Sequence, residues 1–75
     1  MGVVRALGRR GDEEQHWDPK TGVGLKESMR FFAKKREEGM HAYLIDPRTG
    51  EGTEEIRTFR PNAEEILFTK QLIGG

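Results

Sequence analysis

Few side chains in this 75-residue chain could carry out chemistry, and they do not gather in the sequence. There is no cysteine, so thiolate nucleophiles, disulfides and thiolate metal sites are excluded. The two histidines, His16 and His41, lie far apart with no cysteine beside either, and no metal is assigned to them. Asp12, Glu13 and Glu14 stand next to Arg9 and Arg10 with no nucleophile nearby, the pattern of a solvated hairpin tip rather than an acid/base pair. Lys34-Lys35-Arg36 is followed at once by Glu37-Glu38, a solvated helix end rather than a phosphate site. Asp18-Pro19-Lys20-Thr21-Gly22 and Asp46-Pro47-Arg48-Thr49-Gly50 repeat one pattern. Proline second, glycine last and an Asp able to accept a local backbone hydrogen bond are what a turn requires, so duplicated binding loops are the weaker reading. With no acid/base constellation and no glycine-rich phosphate loop, a self-contained enzyme is disfavoured. The remaining feature is Gly74-Gly75, which lacks Cβ atoms and can thread a narrow channel with its carbonyl unhindered.

Composition limits the partners. Thirteen basic and thirteen acidic residues give a formal net charge of zero, without the basic excess that nucleic-acid binding needs. An apolar fraction of 33% against 35% charged residues suits one small core with a heavily solvated exterior and no deep substrate cavity. No stretch approaches the ~20 apolar residues that cross a bilayer. Met1-Gly2-Val3-Val4-Arg5 lacks the apolar run of a signal peptide, and Ala6 stands where a myristoylation motif wants Ser or Thr. The expected compartment is the cytoplasm, with no membrane partner.

The elements that must position these groups are legible from periodicity. Residues 3–7 read as an apolar strand, glycines 8 and 11 as its turn, and 13–17 as a more polar strand with Glu14 and His16 on one side and Gln15 and Trp17 on the other. Trp17 is expected to cap the core. Leu25, Met29, Phe32 and Ala33 fall at i, i+4, i+7 and i+8 and predict one amphipathic helix, with Phe31 at the margin of its apolar stripe and Gly39 as a left-handed cap. Residues 40–45 alternate Ala42 and Leu44 against Tyr43 and Ile45, a third strand. Residues 55–59, anchored by Ile56 and Phe59, predict a short strand or irregular turn before Pro61. In the last segment Ile66 and Phe68 face one way and Leu67 and Thr69 the other, which favours a strand. A helix capped by Asn62 is the rival reading.

Strand, strand, helix, strand, short element, strand suits one helix across a mixed sheet, an α+β arrangement. The succession resembles the ubiquitin-like β-grasp family of modifiers and sulfur carriers. The residues that carry the likeness follow the helix: the apolar strand His41-Ala42-Tyr43-Leu44-Ile45, the turn Asn62-Ala63-Glu64-Glu65, and Ile66-Leu67-Phe68 leading to Leu72-Ile73-Gly74-Gly75. Lys70-Gln71-Leu72-Ile73 departs from both ubiquitin's arginine-bearing tail and the proline-bearing tail of molybdopterin-type carriers. The resemblance implies one ubiquitin-like domain over residues 1–75, with a sheet of four to five strands, the first and last paired in parallel at its centre, and a short flexible tail from about residue 71.

The resemblance also implies the chemistry. An E1-like adenylating enzyme, which supplies the ATP and the nucleophile, would convert the Gly75 carboxylate to an acyl adenylate for attack by a thiolate or persulfide. Gly74 and Gly75 would be the activation and conjugation site, Gln71, Leu72 and Ile73 the tail recognised by the partner, and Tyr43 and Leu67 a docking patch. The chain itself would need no cofactor. Conjugation to amines of target proteins, with an isopeptidase to reverse it, ranks ahead of sulfur transfer through a thiocarboxylate to a sulfur-accepting enzyme. A non-covalent interaction or assembly module is the alternative of a different class.

Overall fold

The computed structural model describes residues 1–8 and 11–70. Strands β1 (Gly2–Ala6) and β2 (Glu13–Trp17) form the expected antiparallel hairpin, pairing Gly2 with Trp17 and Ala6 with Glu13. Helix α1 spans Leu25–Glu37. It is followed by β3 (His41–Ile45), β4 (Gly52–Ile56) and β5 (Glu65–Thr69). The five strands form one sheet in the order β2-β1-β5-β3-β4. β1 and β5 run parallel, with Val4 opposite Ile66 and Ala6 opposite Phe68, and every other pairing is antiparallel. This is the α+β arrangement of a β-grasp, one helix on a mixed sheet.

Two ladders settle the last segment as a strand. β5 lies between β1 and β3, so its backbone groups bond on both sides, an outcome local propensity could not weigh against a helix. Its alternation then buries Ile66 and Phe68 completely. The parallel pair, inside the sheet, is correspondingly apolar.

The helix ends as expected and faces otherwise. Gly39 takes φ 86°, its N–H donates to the Arg36 carbonyl at 3.0 Å, and the Met40 N–H donates to the Lys35 carbonyl at 3.1 Å. These two bonds form a Schellman closure. The buried helix residues, however, are Ser28, Phe32 and Lys35, with Leu25 and Phe31 packed beside the core. Met29, expected in the buried stripe, is 49% exposed, and Ala33 is exposed too. Phe31 and Phe32 are neighbours in sequence, and both pack edge-on against Phe68, at centroid distances of 6.4 and 5.0 Å. Seating both rings turns the helix about its axis and carries Met29 and Ala33 outward.

The core comprises Val4, Ala6, Trp17, Phe32, Met40, Ala42, Ile56, Ile66 and Phe68. Trp17 is wholly buried as expected, its Nε1–H donates to the Pro61 carbonyl at 2.9 Å, and Phe59 tilts against its ring at 4.8 Å. Gly2 lies beneath that ring, where a Cβ would come 2.3 Å from Trp17 Cζ2. The fourth strand begins and ends earlier than the 55–59 expectation. Ile56 is its last residue, opposite Ala42, and Phe59 packs on the core from the connection that follows. An edge strand of Gly, Thr and two Glu shows too little alternation to be read in advance.

Candidate functional site

Because strand side chains alternate, the residues that do not enter the core form the face of the sheet opposite the helix. From β1 it receives Val3 and Arg5, from β2 Glu14 and His16, from β5 Glu65, Leu67 and Thr69, and from β3 His41, Tyr43 and Ile45. Tyr43 and Leu67 are direct cross-strand partners, so the two sequence candidates for docking do meet. Both are half-buried. With Ile45, Thr69, Gly50 and Gly52 they line an open depression of about 320 Å³. Gly52 stands opposite Ile45, and its missing side chain leaves that side of the depression unfilled. Ile45 was absent from the expected patch, although alternation from Tyr43 points to it.

Polar groups flank this apolar centre. On one side, Glu14 accepts from His16 Nε2 at 3.1 Å and from Arg5 Nε at 3.2 Å, and Arg5 Nη1 reaches Glu65 at 3.5 Å. The network crosses β2, β1 and β5 in turn. On the other side His41 Nδ1 lies 2.8 Å from Glu55 of β4. The hydrogen bond from His16, then that from Arg5, holds the Glu14 carboxyl below the usual carboxylate range. The His41 bond does the same for Glu55. The two histidines thus bond to separate carboxylates, and among the described residues no three metal-ligating side chains converge.

Other charged groups singled out in the sequence are separated by the fold. Glu13 and Glu14 point to opposite faces, and Glu13 accepts from Lys35 Nζ at 2.6 Å. That bond lowers the Glu13 pKa and raises that of Lys35. The basic run Lys34-Lys35-Arg36 divides likewise. Lys35 lies with its side chain 10% exposed against Glu13, Glu38 and the Phe31 ring, and Arg36 donates to the Met40 carbonyl at 3.4 Å. Lys34 alone stays exposed.

The repeated D-P-K/R-T-G segments fold as turns with a common bonding scheme. Gly22 N–H donates to the Asp18 carbonyl at 2.8 Å and Gly50 N–H to the Asp46 carbonyl at 2.7 Å. The Asp side chains accept from Lys20 N–H at 2.8 Å and Arg48 N–H at 2.9 Å. Thr21 and Thr49 accept from the residues two further on. The Asp and Thr side chains of both motifs are thus used within their own loops.

The expected activation residues Gly74 and Gly75, and the tail Gln71, Leu72 and Ile73, lie outside the described residues, which reach Lys70 directly after β5. Among the described residues, no helix is long and apolar enough to cross a membrane. No protein-family model, curated protein or solved structure matches this chain.

Proposed function

We propose that this chain is a ubiquitin-like protein modifier whose Gly75 carboxylate is adenylated by an E1-like enzyme and then joined to amines of target proteins. The observation that carries this reading is the sheet order β2-β1-β5-β3-β4, with the parallel β1–β5 pair inside it and β5 preceding the sequence that ends Gly74-Gly75. A carboxylate oxygen attacks the α-phosphorus of ATP and pyrophosphate leaves. A thiolate of the partner attacks the acyl carbon and AMP leaves, and a target amine then displaces the thiol and loses a proton. Glycine at both final positions leaves the carbonyl open to each nucleophile. The apolar centre of the open sheet face, Tyr43, Ile45 and Leu67, supplies a docking surface for the activating enzyme, with the Arg5–Glu14–Glu65 network orienting it.

The test is incubation with a partner E1-like enzyme, ATP and magnesium, followed by intact-mass measurement. The expected product is an acyl adenylate or a thioester on Gly75, lost when Gly74-Gly75 is deleted or when one residue is appended. Leu67→Ser should slow adduct formation while the tail stays intact. A doubly deleted chain that keeps its cellular function overturns the proposal. A thiocarboxylate product would redirect it to sulfur transfer.

A further inference from the structure

Helix α1 carries five cations, and the fold divides them into two sets. Lys35 and Arg36 turn toward protein partners, Glu13 and Glu38 for one and the Met40 carbonyl for the other. Lys26, Arg30 and Lys34 are exposed, and none makes an ion pair among the described residues. Their spacing, i, i+4 and i+8, stacks them in one row on the solvent side. Like charges at that spacing repel and act against the helix. An opposite charge laid along the row relieves the repulsion.

Beside the row runs the apolar stripe displaced from the core. At 100° per residue, Met29 and Ala33 fall between the basic row and the buried face. Met29 is 49% exposed. The row spans about two helical turns, roughly 12 Å. Exposed Glu27 flanks the row on the side away from Met29, and Glu37 and Glu38 follow its C-terminal end. A long phosphate backbone running past the row would meet those carboxylates, whereas a short acidic segment laid along the Met29 side of the row avoids them. Acidic side chains alternating with apolar ones would use both the cations and Met29.

We propose that the exposed row Lys26–Arg30–Lys34, with Met29 and Ala33 along its edge, binds a short acidic and apolar segment of a partner protein. The surface is on the opposite side of the molecule from the open sheet face, and its occupancy does not depend on Gly75.

The experiment is fluorescence anisotropy of a labelled peptide of alternating Glu and Leu, titrated with the intact chain, in parallel with oligothymidylate and phosphatidylserine vesicles. The peptide should bind, more weakly as ionic strength rises. Lys26→Gln, Arg30→Gln and Lys34→Gln together should weaken it by about tenfold. Met29→Ser should weaken it further, while Lys20→Gln with Arg48→Gln, which neutralises cations on the two turns, should leave it unchanged. Far-UV circular dichroism verifies that each variant is folded. Absence of peptide binding, tighter binding of oligothymidylate or vesicles, an unchanged affinity for Met29→Ser, or equal weakening by the turn variant overturns the proposal.

Discussion

Gly2→Ala should destabilise this protein far more than its single added methyl suggests. The new Cβ would sit 2.3, 2.4 and 2.7 Å from Cζ2, Cε2 and Cη2 of Trp17, all atoms of a rigid ring. The ring cannot swing aside cheaply. It is 0% exposed, its Nε1–H is bonded to the Pro61 carbonyl at 2.9 Å, and Phe59 lies against it at 4.8 Å. Overpacking of this kind costs about 1–3 kcal/mol, and breaking a buried hydrogen bond to make room costs about 1–3 kcal/mol more. The lower entropy of an unfolded chain with alanine returns only about 0.4–1 kcal/mol. The steric effect therefore wins, with a net loss of about 3 kcal/mol, a large part of the stability of a domain this size. Urea unfolding followed by Trp17 fluorescence reads the loss directly, and the melting temperature should fall by about 15 °C. Trp17 is the only tryptophan, so near-ultraviolet circular dichroism reports the ring's displacement independently. In a Trp17→Phe background the cost of Gly2→Ala should shrink, since a smaller ring leaves space. A loss below about 0.5 kcal/mol in the parent chain, or an equal loss in both backgrounds, would refute the packing of Gly2 under Trp17.

Three further outcomes follow from individual contacts. Ser28 is fully buried with its Oγ unpartnered, so Ser28→Ala should leave stability unchanged or raise it by up to about 1 kcal/mol, and a lower urea midpoint would contradict this. Gly24 has φ 79°, and a Cβ there would come 2.1 Å from the His16 carbonyl oxygen. Gly24→Ala should cost about 3 kcal/mol, and a thermal melt within a degree or two of the parent would refute the close approach of helix and hairpin. Glu13, Glu14 and Glu55 have depressed pKa values in the folded chain. Their contribution is therefore present above the ordinary carboxylate pKa and is lost as pH falls through the lower folded values. Lys35, raised by the Glu13 hydrogen bond, contributes below its ordinary pKa and loses that contribution as pH rises through the higher folded value. Urea midpoints measured across pH should decline at both extremes, and Lys35→Met should flatten the alkaline decline and reduce the acid one. An unaltered alkaline limb in that variant would remove the assignment.

Much of the candidate docking face was legible because strand alternation is a local rule. Tyr43 and Leu67 could be placed off the core by counting residues, and Ile45 follows from the same count. Their meeting could not be read that way, because β3 and β5 are far apart in sequence and their pairing is a property of the sheet. The Arg5–Glu14–Glu65 network was hidden for the same reason. Each member looks like an ordinary surface charge until three strands lie side by side.

By itself, the sequence determined the N-terminal hairpin, the single helix and the strand after it, the turns and the helix stop. Proline, glycine and short hydrogen-bonding side chains act within a few residues, as the two Asp-Pro turns and Gly39 illustrate. Tertiary structure alone decided which side of α1 is buried, whether the last segment is helix or strand, and which member of a basic run goes inside. Locally, Met29 and Ala33 extend the stripe of Leu25 and Phe32 as well as the Phe31 side that is used does. Only the need to seat Phe31 and Phe32 together on Phe68 selects the other side, and only Glu13 across the interface draws Lys35 in while leaving Lys34 out. Helical and extended states of the final segment differ little in local energy, whereas two strands ready to bond it on both sides separate them decisively.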